Sequence, residues 1–288
     1  MTPISKSFSK KLIHLGLIIP FSMILLILPG CGANNPTPPV AGNGFGTPIP
    51  VTISGYTGDA MEPFIDRDGK YLFFNSLNDS VDTCLYYAEK VSDANFLFKG
   101  KLIGVNNPLP PHLDAVASMD LGHRFYYIST RNYPGGAFGE GDYRSIYRGS
   151  FLSGAITNLL PVSGNFYTQE PGWIIMDAEI SPDGNDLYYA NAYFTGNPWP
   201  AKSDLGLAQI NGADFNQVAD VTELFKNINT STNLEYAPSS ASDQLELFFT
   251  RHTYRGYLYR QTRLNLRDIW TAGTTKSQRF RGSPLHIF

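Results

Sequence analysis

The chain is poor in several things. It has two cysteines in 288 residues, five histidines and three tryptophans. Charged residues make up only 16%, against roughly 25% in an average soluble domain. Two cysteines exclude a disulfide-stapled scaffold. The formal net charge of −3 is not the basic balance of a nucleic-acid binder. No apolar run after the N-terminal segment is long enough to span a bilayer. The four histidines beyond residue 30, His112, His123, His252 and His286, show no zinc-type spacing. There is no nucleophile elbow, phosphate loop or dinucleotide fingerprint. No cofactor is implied, and no metal site is expected.

What is abundant points the other way. Aromatics reach 14%, with 19 Phe and 17 Tyr, alongside 27 Gly and 20 Pro. Disordered chains lack aromatics. Helical bundles are built from Ala, Leu, Glu and Lys instead. The composition reads as a well-packed, turn-rich, all-β protein.

The N-terminus reads as an address. Lys6, Lys10 and Lys11 precede an apolar run from Leu12 to Leu28, with no acid in residues 1–30. A basic start, an apolar middle and a small residue before a cut site describe a secretory signal peptide. Leu28-Pro29-Gly30-Cys31 resembles the bacterial lipobox. The resemblance implies lipidation of Cys31 and cleavage before it, hence a membrane lipoprotein of the cell envelope facing periplasm or exterior. Residues 31–44, rich in Pro, Gly and Asn, read as a tether. The expected organisation is a signal peptide over 1–30, a lipidated tether over 31–44 and a folded domain over 45–288. Cys84, in Thr83-Cys84-Leu85-Tyr86-Tyr87, reads as a buried thiol, with no His or Lys beside it in sequence.

The folded domain repeats. Segments beginning at Glu62, Asp114, Asp177 and Glu235 each run from an acid through a short strand and a turn into three apolar residues. The triplets are Leu72-Phe73-Phe74, Phe125-Tyr126-Tyr127, Leu187-Tyr188-Tyr189 and Leu247-Phe248-Phe249. From Gly69 to Gly122, Gly184 and Gln244 the steps are 53, 62 and 60 residues. A strand with one wet face alternates apolar and polar residues. Three apolar residues in a row require cover on both faces, which a propeller blade has. Third strands are expected at 84–88, 145–148, 204–208 and 268–272. Fourth strands are expected at 101–105, 155–160, 218–222 and 284–287. Phe215 to Ile228 also has helix-like spacing, and the repeat alignment makes it a strand. Residues 45–51 read as an isolated outer strand, pairing with the last blade or belonging to an extra degenerate blade.

Ser181-Pro182-Asp183-Gly184 with its aromatic strand resembles the WD40-like repeat of TolB-type propellers. So does Thr130-Arg131-Asn132-Tyr133-Pro134-Gly135-Gly136 followed by Ser145-Ile146-Tyr147. The resemblance covers about residues 45–288 and implies a β-propeller of four recognisable four-stranded blades.

Candidate binding residues follow from that frame. Glu62, Asp114, Asp177 and Glu235 open the inner strands, as an acidic ring for a cation or basic peptide, or as blade-to-blade hydrogen-bonding devices. Arg131 and Arg251 could grip an anion or pair with blade acids. Trp173 and Trp199 could stack on a sugar, anchor a partner or cover a blade. The leading reading is a non-catalytic platform for an envelope protein or glycan, with no nucleic acid. The alternative is a propeller-fold carbohydrate-active hydrolase or lyase, for which two facing carboxyls in a deep pocket are the discriminating feature. Replacing Cys31 with Ser should abolish metabolic labelling with a radioactive fatty acid, and a variant still labelled would refute the anchor.

Overall fold

The structure is a computed structural model of the whole chain. It describes residues 49–271, apart from 80, 109, 132, 134–141 and 253–255. Contacts divide the chain into two units, Met1–Gly44 and Phe45–Phe288. The first lies outside the described residues, as does the strand expected at 284–287.

The second unit is four β-sheets following one another along the chain. The first holds β1 (Thr52–Ser54), β2 (Met61–Ile65), β3 (Tyr71–Asn75), β5 (Leu85–Ser92) and β6 (Asn95–Lys101), in the order β1-β6-β5-β3-β2. The second holds β4 (Asp82–Thr83), β7 (His112–Met119), β8 (Arg124–Ser129), β9 (Ile146–Leu152) and β10 (Ala155–Pro161), in the order β10-β9-β8-β7-β4. The third is a meander of β11 (Trp173–Ile180), β12 (Asp186–Tyr193), β13 (Lys202–Asn211) and β14 (Asp214–Gln217). The fourth is β15 (Leu234–Ser240), β16 (Glu246–His252) and β17 (Gly256–Thr262). A four-residue helix, α1 (Val221–Leu224), joins the last two. This is a four-bladed propeller arrangement. Its inner strands β2, β7, β11 and β15 all contribute to the lining of one central cavity.

The aromatic triplets do what their pattern requires. On β3, Tyr71 and Phe73 pack toward the second sheet, while Leu72 and Phe74 pack on the opposite face. On β8, Phe125 and Tyr127 face the first sheet and Tyr126 faces the third. On β12, Leu187 and Tyr189 join the second-to-third interface, and Tyr188 joins the third-to-fourth. The central strands β3, β8 and β12 thus each feed two apolar layers, whereas on β16 Leu247 and Phe249 join one layer and Phe248 is half-buried.

Several boundaries differ from the sequence reading. The first sheet's outer strand is β6, not 101–105, because Phe96 and Phe98 supply its apolar face. Leu102 and Val105 are buried instead as a link toward the second sheet. No strand forms at 218–222: β14 ends at Gln217, and the chain turns into α1. There Leu224, Phe225 and Ile228 pack into the third-to-fourth interface, so both readings of that segment are partly realised. The fourth sheet's third strand is β17. Residues 265–268 turn, with Asp268 N–H donating to Asn265 C=O, and Trp270 is fully buried beneath the Arg263 guanidinium. Residues 49–51 are not a strand. β1 follows them and adds in parallel to β6 of the first sheet, so it neither pairs with the last blade nor starts an extra one.

Phe73 has no solvent exposure and meets Phe125 and Phe151 edge-on, ring centres 5.1 Å away in both cases. Phe73→Ala should cost about 3–5 kcal/mol, read as a fall in the urea midpoint at unchanged slope.

Candidate functional site

Each inner strand enters its hairpin in the same way. The backbone N–H groups of Asp66, Asp120, Ser181 and Ala241 donate across the turn to Tyr71, Arg124, Asp186 and Glu246 carbonyls. Asp66, Asp120 and Ser181 also accept from backbone N–H groups within their own turns. These four residues are the natural alignment points. Each inner strand also carries a register shift just before the turn. Glu62, Val116 and Ala237 have φ of 49°, 54° and 51° there. A non-glycine residue with positive φ is uncommon, and bulges of this kind re-aim side chains.

Aligned on the turns, the four acids fall into two classes. Glu62 and Asp177 occupy one position, which Val116 and Ala237 fill in the other two blades. Asp114 and Glu235 stand two residues earlier. The structure thus brings two of the predicted acids to the cavity and gives the other two a structural task.

Asp114 and Glu235 are fully enclosed and neutralised. Asp114 accepts from Arg131 at 3.1 Å and from Asn107 N–H at 2.7 Å. Arg131 also donates to the Val105 carbonyl and lies over Tyr147 and Tyr127. Glu235 accepts from Arg251 Nε at 2.7 Å and from the Thr230 hydroxyl and N–H. Arg251 donates in turn to the Ile228 carbonyl and lies over Tyr259 and Phe249. Neither arginine presents its guanidinium for an external anion. Trp173 packs on Tyr193, and Trp199 stacks on His252 with ring planes 6° apart. Both indoles cover strand ends away from the cavity lining.

The cavity measures about 470 Å³, within the range of small-ligand sites. Glu62, Phe64 and Arg67 come from the first blade, Asp177 and Glu179 from the third, and Val116, Ala237 and Ser239 from the second and fourth. Glu62 Oε1 accepts from Asn78 at 2.9 Å, while its Oε2 is enclosed with no partner among the described residues. Asn78 is held by Asn75, whose Oδ1 accepts from Val116 N–H of the second blade. Asp177 accepts from Ala237 N–H of the fourth blade at 3.1 Å. Burial, then the charge of Asp177, raises the Glu62 carboxyl to about 8. Burial raises Asp177 to about 6, partly offset by the Ala237 N–H. Tyr236 is pushed up to about 12 by burial and by both acids.

At the turn end of the cavity sits Glu179, which the sequence reading did not single out. It accepts from Arg67 at 3.0 Å and from the Ser240 N–H and hydroxyl. Its spacing from Asp177 places both acids on one face of β11, which is the signal that could have found it. Arg67 was hidden in a hairpin turn. Cys84, which had no His or Lys beside it in sequence, has His112 and Lys101 against it in the fold.

No known protein family matches the sequence, and no curated protein does. Among solved structures, TolB from Acinetobacter baumannii is 17% identical over 72% of this chain and 41% of its own, with a TM-score of 0.42. The chain therefore spans less than half the length of that TolB. The endo-arabinase of Bacteroides thetaiotaomicron is 13% identical over 78% of this chain and 82% of its own, TM-score 0.44. A family 117 glycoside hydrolase from Zobellia galactanivorans is 14% identical over 74% and 70%, TM-score 0.46. These likenesses extend to the fold only.

Both cavity carboxyls hold protons more tightly in the folded chain than their ordinary values near 4 allow. Folding therefore takes up protons, and stability falls as pH rises through that window toward about 8. Glu62→Gln removes the larger part. Its melting temperature should exceed that of the parent at pH 8, with the gap closing below pH 4. A gap independent of pH would contradict the raised carboxyl.

Proposed function

We propose that the protein is a cell-envelope lipoprotein, anchored through Cys31, whose propeller is a non-catalytic binding platform. Its cavity takes a cationic group from a basic segment of a partner protein. The observation that supports this is the unmatched charge of Glu62 and Asp177. Glu179, Asp114 and Glu235 each have an arginine. Glu62 and Asp177 have only neutral partners among the described residues. The fold has already desolvated them, so an entering lysine or arginine gains their attraction in a weakly screened setting. An uncharged glycan gains nothing comparable, which places a basic protein segment ahead of a glycan. Among the described residues, no helix is long and apolar enough to cross a membrane, and the acid excess gives nucleic acid nothing to hold.

A second reading rests on the same two carboxyls. Both are raised by burial, and near neutral pH the pair holds one proton, leaving one carboxyl protonated and the other ionised. That division suits a glycosidase, whose acid donates a proton while its second carboxylate assists. Among the described residues the cavity lining holds one aromatic, Phe64, which gives a sugar ring little to stack on.

One experiment separates the two. Titration with a lysine- and arginine-rich peptide should show affinity rising from pH 6 to pH 8 with proton release, as ligand binding pulls both acids into the charged form. Affinity should fall at least tenfold in the Glu62→Gln, Asp177→Asn double variant. Unchanged peptide binding in that variant would refute the cavity as the site. Reducing-sugar release from an oligosaccharide panel, lost in the same variant, would establish the hydrolase instead.

A further inference from the structure

Away from the cavity, at the seam between the first and second blades, two potential metal ligands at the end of β4 meet a third at the head of β7. The strand β4 pairs in parallel with the head of β7, with Asp82 opposite His112. Cys84 follows directly, before β5. Cys84 Sγ lies 3.2 Å from Asp82 Oδ1 and 3.8 Å from His112 Nε2, and His112 Nε2 lies 3.3 Å from Asp82 Oδ1. Zinc bonds of about 2.0–2.3 Å at tetrahedral angles put ligand atoms ~3.3–3.6 Å apart. The three atoms already stand near that spacing.

Burial strengthens the case. Cys84 is 1% exposed and His112 2%, while the Asp82 side chain is 65% exposed. His112 Nδ1 is enclosed without a partner among the described residues. The ring's polar neighbours are therefore those of the cluster, reached through Nε2. The loop before the cluster is held by its own hydrogen bonds. Asp79 accepts from the N–H groups of Val81 and Asp82, Thr83 donates to the Leu77 carbonyl, and Cys84 N–H donates to Ser76 Oγ. Two enclosed donors and one at the surface make a site that is pre-positioned and reachable from solvent.

We propose that Asp82, Cys84 and His112 form a binding site for one divalent transition-metal ion, with zinc(II) the best fit. A thiolate, an imidazole and a carboxylate are a zinc-type donor set, and three protein ligands leave a fourth position for water or another ligand. Lys101 Nζ, 3.1 Å from Cys84 Sγ, donates to it. Its side chain stands on the exposed end of β6, where an entering ion can displace it. The bound ion would clamp the first blade to the second, because β4 reaches from one to the other. This site is independent of the cavity reading.

The test uses the full chain without a polyhistidine tag, with Cys31 replaced by Ser so that Cys84 is the only thiol. Cobalt(II) is the probe. One equivalent should give the near-ultraviolet thiolate-to-cobalt band and tetrahedral visible bands, both displaced by zinc(II). Cys84→Ser should lose the thiolate band. Asp82→Asn, at an exposed side chain, should keep the fold by circular dichroism and bind at least tenfold more weakly, even if Cys84→Ser does not fold. Lys101→Met should bind as tightly as the parent or more so. Absence of the thiolate band in the parent, unchanged affinity in Asp82→Asn, or lost binding in Lys101→Met would each overturn the site.

Discussion

The structure depends on one buried carboxylate. Glu179, only 5% exposed, takes hydrogen bonds from Arg67 of the first blade and Ser240 of the fourth. The next residue, Ile180, donates its N–H to Ser118 of the second blade and accepts from Arg67 through its carbonyl. Four inner strands are tied at one point. Apolar layers fill the first-to-second, second-to-third and third-to-fourth interfaces. Among the described residues, no such layer joins the fourth sheet to the first. The polar knot therefore spans the centre where hydrophobic packing does not. A buried ion pair adds little net stability, but losing one partner strands the other at a cost of about 3–5 kcal/mol. Such a knot acts chiefly to fix geometry.

That geometry has a two-blade period. Asn106 brackets the Leu85 backbone as Asn229 brackets Leu205. Arg131 clamps Asp114 as Arg251 clamps Glu235. Glu62 and Asp177 complete the pattern in the first and third blades. An internal repeat of this kind places like residues in alternate blades. Here it directs two acids into one cavity with only neutral partners among the described residues. The clamped pair, by contrast, has its charge matched by an arginine within each blade. The same acid types thus serve as structural clamps in two blades and as the functional candidates in the other two.

Much of this was legible in sequence, because covered strands have a local signature. Leu-Phe-Phe and Leu-Tyr-Tyr can only be strands packed on both sides, and the Asp-Gly turns mark their hairpins. The less legible parts share a cause, which is that the deciding contact is remote. Counted from the hairpin turns, Glu62 and Asp177 stand two residues later than Asp114 and Glu235, whereas in sequence all four read as equivalent strand openers. The fourth sheet's third strand is β17 rather than 268–272, because Trp270 of that run is buried under Arg263 instead of pairing with β16. Asp82, Cys84 and His112 show no motif spacing because parallel pairing of β4 on β7, not chain proximity, unites them.

The central claim is that Glu62 and Asp177 are a desolvated, unmatched pair in the cavity. Carbon-13 NMR titration of their carboxyl groups tests it most directly, with each resonance assigned by Glu62→Gln and Asp177→Asn. The account requires the pair to titrate well above the ordinary carboxylate range, falling when a basic peptide is added. Two carboxyls titrating near pH 4, unmoved by the peptide, would contradict it.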